Sequence, residues 1–360
     1  MQQAYSVVQV TDQLNVGGAE QMIVMLANLL QTHGYSSAVL TTVAPGALSK
    51  KLHPAVQQIN LRRHWKWNPV TMYRLVQVLR GFDIVHVHSS YNLRYVYLAS
   101  RLFFLRKPIF YQEHFGDINI NSKVAWHQRL IYPTVIFIAV SKQLAAWAID
   151  TIKLSPKRVF LLQNTIIKET IQPSNVSSPP YQLLLVSNIR RTKNIEFAVA
   201  LLKALNTPDA VYQLTIIGQV NDAVYYKELQ QLIDAYSLTA SVHFIHQCTD
   251  IQPLLNSFHL ALHTSKSETG PLVLIEYLAQ GLPFLTYNTG EVIQQIQPYL
   301  PAFIMQDFSI ERWVQAVQHL VSLSKYEIAA QLFNLYETHF SPGVYYHRCI
   351  AVYDAGMQTG

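Results

Sequence analysis

The chain has 360 residues, half of them hydrophobic and only 13% charged. That length and composition supply material for two packed cores and exclude an intrinsically disordered chain. The formal charge of +6 is unevenly divided: residues 1–170 hold 18 Lys and Arg against 7 Asp and Glu (+11), and residues 171–360 hold 9 against 14 (−5).

A basic half suggests an anionic partner: a phosphate-bearing substrate, an anionic lipid surface or nucleic acid. No nucleic-acid-binding module accompanies it, and the aromatic residues mostly follow core periodicity, so nucleic acid is set aside. The two cysteines, Cys248 and Cys349, stand far apart and outside any metal-type spacing, which fits a reduced, cytoplasmic setting. The longest apolar run, Ile131 to Val140, is about half of the roughly 20 residues that a membrane-spanning helix needs. The N-terminal "MQQAYSVVQV" has neither the basic start nor the apolar core of a secretion signal.

Strand and helix patterns alternate from the start. "YSVVQV" (Tyr5 to Val10) reads as a strand, and "AEQMIVMLANLLQTHG" as a helix through Met22, Met25, Leu26, Leu29 and Leu30, stopped by Gly34. Gly17 and Gly18 lie between the two, where a missing side chain lets backbone approach a diphosphate or an acceptor. "SSAVLTTV" is the next strand. "LRRHWKWNP" (Leu61 to Pro69) then mixes Arg62, Arg63 and Lys66 with Trp65 and Trp67, a combination suited to a membrane interface. "FDIVHVHSS" puts His86 and His88 on one strand face. No third ligand is apparent beside them, so no metal is assigned. "KPIFYQEH" ends in His114, at a strand end where binding residues often sit. "TVIFIAVS" and "RVFLLQN" complete the first series.

The proline- and serine-containing "KETIQPSNVSSPPYQ" (Lys168 to Gln182) interrupts the alternation and reads as a linker. The pattern then restarts with the strand "YQLLLVSNI", the helix "KNIEFAVALLKALN", the strand "YQLTIIGQ", the helix "YYKELQQLIDAYSL" and the strands "VHFIHQ" and "LALHTS". The expected fold is α/β, with two Rossmann-like doubly wound domains facing a cleft. The expected boundaries are 1–167, a linker at 168–181, 182–340, and a C-terminal helix at 341–360.

The turn "KSETG" follows "LALHTS" and leads into "PLVLIEYLAQG", a helix starting near Pro271 and ended by Gly281 and Pro283. In open α/β sheets ligands bind at such a strand end. The free backbone N–H groups of Thr269, Gly270 and their neighbours at the start of the Pro271–Leu272 helix, with the helix dipole, favour a phosphate. Glu268 lies on the turn and Glu276 about one and a half helical turns further on. A carboxylate among aliphatic residues must be hydrogen-bonded, and vicinal ribose hydroxyls would satisfy it.

Glu268, seven residues, Glu276, then Ala279, Gly281 and Pro283 resembles the donor-binding motif of the family 4 retaining glycosyltransferases of the GT-B fold. "LNVGGAEQM" resembles that family's N-terminal glycine loop, "VSNIRRTKNIEF" its diphosphate-binding segment, and "FLLQNT" its strand ending in Asn near the domain junction. The resemblance implies that Glu276 holds the nucleotide ribose, that Glu268 faces hydroxyls of the transferred sugar, and that Thr269 and Gly270 supply backbone donors. Lys193 matches the family's diphosphate lysine. Asn188 stands at its usual arginine position, with Arg190 and Arg191 nearby. His114, in "YQEHFG", would face the donor sugar, and His246 and Gln247 would lie near the nucleobase. The C-terminal helix would pack back on the N-terminal domain.

The implied activity is retaining transfer from a nucleotide-sugar to a glycan or polyprenyl-diphosphate-linked acceptor, in cell-surface polysaccharide or glycoconjugate synthesis. Glu268, Lys193 and His114 would serve the chemistry, with no metal or other cofactor, in an enzyme that is cytoplasmic or peripheral on the inner membrane face. A non-catalytic nucleotide-sugar or glycan-binding protein, and a nucleotide-sugar epimerase, are the rival readings on the same scaffold.

Overall fold

Each half of the alternating pattern forms its own parallel sheet. The computed structural model describes residues 5–65, 67–114, 124–171, 179–208, 210–248, 250–323 and 325–359. Two compact units emerge: Met1–Ile167 with Pro342–Gly360, and Lys168–Ser341.

In unit 1 the strands are β1 (Ser6–Thr11), β2 (Ser36–Thr41), β3 (Gln57–Asn60), β4 (Ile84–His88), β5 (Ile109–Glu113), β6 (Ile136–Ala139) and β7 (Val159–Leu161). Helices α1 (Gly18–Thr32), α2 (Pro69–Arg80), α3 (Ser90–Leu102), α4 (Trp126–Ile131) and α5 (Lys142–Asp150) alternate with them. The sheet order is β3-β2-β1-β4-β5-β6-β7, all parallel. Parallel strands are covered on both faces, which explains why every residue of β4 and β6 is buried.

In unit 2 the strands are β8 (Tyr181–Val186), β9 (Tyr212–Ile217), β10 (Val242–Ile245), β11 (Leu260–His263), β12 (Phe284–Tyr287) and β13 (Ile304–Met305), in the order β10-β9-β8-β11-β12-β13. The helices are α6 (Ile195–Leu205), α7 (Ala223–Ala235), α8 (Gln252–Leu255), α9 (Leu272–Gln280), α10 (Glu291–Ile296), α11 (Ile310–Ser322) and α12 (Lys325–His339). The last helix, α13 (Pro342–Thr359), belongs to unit 1. Its Tyr353 hydroxyl lies 2.8 Å from His86 Nδ1, and a Cβ added at its Gly356 would stand 2.4 Å from Phe110 Cε1. Glycine is required there because the helix backbone lies directly on the sheet.

Both sheets reverse direction after their second crossover, so the switch points fall between β1 and β4 and between β8 and β11. At a switch point the loops leaving adjacent strands diverge to opposite faces and open a crevice at the carboxyl edge.

Some expectations meet differences. β3 and β13 lack the apolar alternation that marks a strand: one is the polar edge "QQIN", the other is two residues long. Part of the expected linker is bonded into unit 2. Glu169 O accepts from Gln280 Nε2 at 2.9 Å, the Lys168 ammonium lies 4.0 Å from the Phe333 ring centroid, and Tyr181 opens β8. Residues 172–178 of that stretch lie outside the described residues. Helix α9 starts at Leu272, with Pro271 as its N-cap in an extended conformation.

Candidate functional site

In unit 2 the loops after β8 and β11 meet at the switch point. A 3-10 turn, Arg191–Lys193, follows β8, and Asn194 then takes a left-handed conformation to begin α6. Two bonds tie this turn to the loop after β11: Thr264 Oγ1 donates to Lys193 O at 2.9 Å, and Lys266 N donates to Thr192 O at 2.9 Å. The tie carries the Lys193 ammonium onto the Glu268 carboxylate, with which it forms a short ion pair. Each side chain is only 12% exposed. His263 Nε2 lies 3.5 Å from Glu268 Oε1, and its Nδ1 lies 3.0 Å from Thr286 Oγ1. Burial alone would push the Glu268 carboxyl up. The Lys193 ammonium and the His263 ring outweigh it and hold the group well below the usual carboxylate range.

A second loop braces Glu268. Its N–H donates to Thr289 Oγ1 at 3.1 Å, and Glu291 N donates to Thr269 O at 2.7 Å. Gly290, at φ +89, lets this loop close in: a Cβ there would lie 3.0 Å from Pro271 Cδ and 3.2 Å from Glu268 Cβ. At the end of β9, a Cβ on Gly218 would stand 2.0 Å from Ser187 O, so only glycine lets the β8 and β9 termini run so close. His246 leans on the same point, with Nδ1 3.2 Å from Gly218 O and Nε2 3.2 Å from the Tyr226 hydroxyl. Gln247 is exposed. Glu276 is half-buried on the fifth residue of α9, and Thr269 and Pro271 are buried beside the half-buried Gly270 and Leu272.

The cationic segment is arranged differently from a simple diphosphate clamp. Arg191 turns to α7, where Nη2 lies 2.6 Å from Glu228 Oε1 and Nε 3.9 Å from Asp222 Oδ2. Its charge is therefore committed to two carboxylates. Asn188 is exposed and its Oδ1 accepts from Gln219 N at 3.3 Å. Arg190 is half-buried. Lys193 is thus a cation built into the switch point.

In unit 1 a cavity of about 470 Å³ opens at the β1/β4 switch point. It is lined by Asp12, Glu20, His88, Ser89, Glu113 and His114, among others, and by no lysine or arginine among the described residues. Asn92 in α3 donates to Asp12 through a short bond and to His88 O at 3.1 Å. The Tyr111 hydroxyl donates to Glu113, whose Oε1 accepts from His114 N at 3.0 Å. His88 links Gln9 Oε1, 2.6 Å from its Nε2, to His114 Nε2, 3.3 Å from its Nδ1. Burial lowers His114 to about 4 and His86 to about 3, with His88 lower than usual as well. Uncharged imidazoles therefore face the cavity at neutral pH.

Gly17 is the N-cap of α1, with an extended backbone that any residue could adopt. The Glu20 carboxylate comes close to it, 2.4 Å from where a Cβ would stand. Burial and the Asp12 charge push the Glu20 carboxyl up. Gly18 is the first residue of the same helix. The two arginines of the membrane-facing expectation differ in exposure. Arg62 is exposed, but Arg63 is buried between the Tyr91 and Tyr95 rings, because Arg62 at φ 52 turns the chain inward. Lys66, Phe115 and Gly116 lie outside the described residues. Trp65 is 63% exposed, and no helix among the described residues is long and apolar enough to cross a membrane.

Sequence reasoning passed over Gly218, His263, Thr289 and Gly290 in unit 2, and Asp12, Asn92 and Glu113 in unit 1. A lone glycine after "LTII" and the "NTG" after "LPFLTY" were the available signals.

Comparison with known proteins adds to this geometry. The family model described as Glycosyltransferase Family 4 matches residues 16–169, and that described as Glycosyl transferases group 1 matches residues 167–332. The chain is 21% identical over 309 residues to the gpi3 subunit of phosphatidylinositol N-acetylglucosaminyltransferase from Schizosaccharomyces pombe, covering 80% of this chain and 66% of that one. It is 23% identical over 308 residues to N-acetyl-alpha-D-glucosaminyl L-malate synthase from Bacillus anthracis, covering 79% of each. Among solved structures, Anabaena HepE in complex with UDP and glucose superposes with a TM-score of 0.80 at 16% identity, covering 98% of this chain and 100% of that one. A glycosyltransferase from Rickettsia africae gives 0.78 at 16% identity, covering 99% and 100%.

Proposed function

We propose, from the premise that the chain belongs to the family 4 glycosyltransferases and is a glycosyltransferase of the GT-B fold, that it moves a hexose or N-acetylhexosamine from a UDP-sugar, with retention of configuration, to a glycan or phosphate-linked acceptor. The observation that carries this reading is the buried Lys193–Glu268 pair at the switch point of unit 2. A leaving nucleoside diphosphate develops negative charge, and a preorganised ammonium stabilises it without having to reorient. Glu268, held ionised, accepts hydrogen bonds from sugar hydroxyls. Glu276, half-buried nearby on α9, takes the ribose. His246 and Gln247 flank the base. No residue in the described site is arranged as a covalent nucleophile, which supports a route in which the donor phosphate assists deprotonation of the acceptor.

The choice of UDP draws on HepE, solved with UDP and with UDP-glucose. The choice of sugar draws on the two N-acetylglucosaminyl-transferring relatives. The acceptor belongs to unit 1, with its hydroxyl near His114. Exposed Trp65 and Arg62 make a peripheral membrane contact part of the same proposal.

The test is calorimetric titration of UDP and UDP-sugars, followed by turnover and NMR of the product anomer. The reading expects UDP binding that Glu276→Ala weakens, and an anomer of unchanged configuration. Full UDP-sugar binding and turnover in Glu268→Gln and Lys193→Gln would overturn it.

A further inference from the structure

Arg63 in unit 1 is buried with one guanidinium nitrogen unsatisfied among the described residues. It is 7% exposed, its Nη1 is sealed from solvent with no hydrogen-bond partner, and the group makes no ion pair among the described residues. Among the described residues the faces of Tyr91 and Tyr95 lie against it, at 4.9 and 4.5 Å from the ring centroids. A cation–π contact offsets part of the desolvation but offers nothing to the in-plane N–H donors. A buried donor without a partner is costly, so the unsatisfied Nη1 points to an acceptor that it can bind.

The surroundings say which. Arg94 lines the same narrow crevice with Trp67, is half-buried, and makes no ion pair among the described residues. Tyr91, Arg94 and Tyr95 stand three and four residues apart on α3, so one helical face presents all three. Two guanidinia match a doubly charged tetrahedral oxyanion, which accepts several N–H bonds in the guanidinium plane. The segment is also fixed in place: Arg63 N donates to Thr42 O at 2.8 Å, and Arg62 N to Asn60 Oδ1 at 2.7 Å.

We propose that Arg63 and Arg94, walled by Tyr91, Tyr95 and Trp67, bind a phosphate group on unit 1. The crevice is too narrow for a water molecule in this structure, so binding moves the Trp67 or Arg94 side chain outward. The arginines follow β3 and β4, at the same carboxyl edge as the acid-lined cavity. That cavity, with Asp12, Glu20 and Glu113 and no lysine or arginine among its described lining residues, suits neutral hydroxyls better than phosphate. One acceptor could therefore lay its hydroxyl-bearing end in the cavity and its phosphate between the arginines. This last step rests on the transferase reading above; the phosphate site itself does not.

The experiment is a thermal-shift and calorimetric titration of the full chain with inorganic pyrophosphate, on wild type, Arg63→Met, Arg94→Gln and Lys193→Gln. The expected result is a Tm rise for wild type and an affinity about tenfold lower in each arginine variant, with a pyrophosphate-dependent rise retained in Lys193→Gln. No binding to wild type, or wild-type affinity in Arg94→Gln, overturns the proposal; Arg94 is half-exposed, so that variant decides even if Arg63→Met fails to fold. Flotation with phosphatidylcholine vesicles, with and without phosphatidylglycerol, separates the sources. Loss of phosphatidylglycerol-dependent flotation in Arg94→Gln identifies a lipid headgroup, and unchanged flotation with lost pyrophosphate binding identifies the phosphate of a soluble or acceptor molecule. UDP binding that depends on Glu276 is read separately, so failure of the transferase reading leaves this result standing.

Discussion

The Lys193 ammonium and the Glu268 carboxylate neutralise each other in a pocket where each side chain is 12% exposed. Breaking a buried pair leaves one charge without compensation, which costs more than removing both. We expect Lys193→Met and Glu268→Leu each to lower unfolding free energy by about 3 kcal/mol, and the double variant to lower it by clearly less than their sum. Urea unfolding of the four proteins measures the cycle; additive losses would show that the two groups act independently.

The same pair sets an acid limb. The folded-state value of Glu268 lies below its ordinary value of 4.5, so its contribution is present above that value and lost as pH falls through the folded one. Wild type should therefore lose stability below about pH 4.5 more steeply than Glu268→Gln, read as Tm against pH.

Histidines act in a separate window. His114, lowered to about 4, and His86, lowered to about 3, stay uncharged in the fold while the unfolded chain takes up protons below 6.5. Stability is complete above about 6.5 and falls as pH drops from there toward 4. His114→Gln should shrink the loss of Tm between about pH 6.5 and 4.5. An unchanged slope would mean that His114 protonates freely in the folded protein.

Arg191 should matter little to the donor. Its bonds run to Glu228 and Asp222. Arg191→Gln is expected to change UDP affinity by less than about twofold, whereas Lys193→Gln weakens it about tenfold. A tenfold loss in Arg191→Gln would mean that the arginine leaves α7 when nucleotide binds.

Gly290 should resist substitution. Its φ of +89 and the closeness of Pro271 and Glu268 penalise any side chain. Gly290→Ala is expected to cost about 1–2 kcal/mol and to depress turnover by displacing the Glu268 loop. Wild-type Tm and kcat would remove the bracing role of this loop.

The alternation of strand and helix was readable in the sequence because buried parallel strands and amphipathic helices differ in period. The spacing of Glu268 and Glu276 was readable because both lie within one strand–turn–helix segment. The commitment of Arg191 was not, since it depends on Glu228 from a helix 37 residues away. Nor was the burial of Arg63, which follows from a left-handed turn at a non-glycine residue and from aromatic rings on another helix. Asp12, Asn92 and Glu113 meet only where three crossovers converge, and no local pattern marks that meeting.

Helix α13 makes unit 1 discontinuous in sequence. His86 and its partner Tyr353 are separated by 267 positions, and the glycine seat for Phe110 is at residue 356. All of unit 2 lies between these partners in the chain. The cover of His86 and Phe110 is therefore encoded on the far side of unit 2, and unit 1 cannot be cut out of the chain as one continuous segment without losing it.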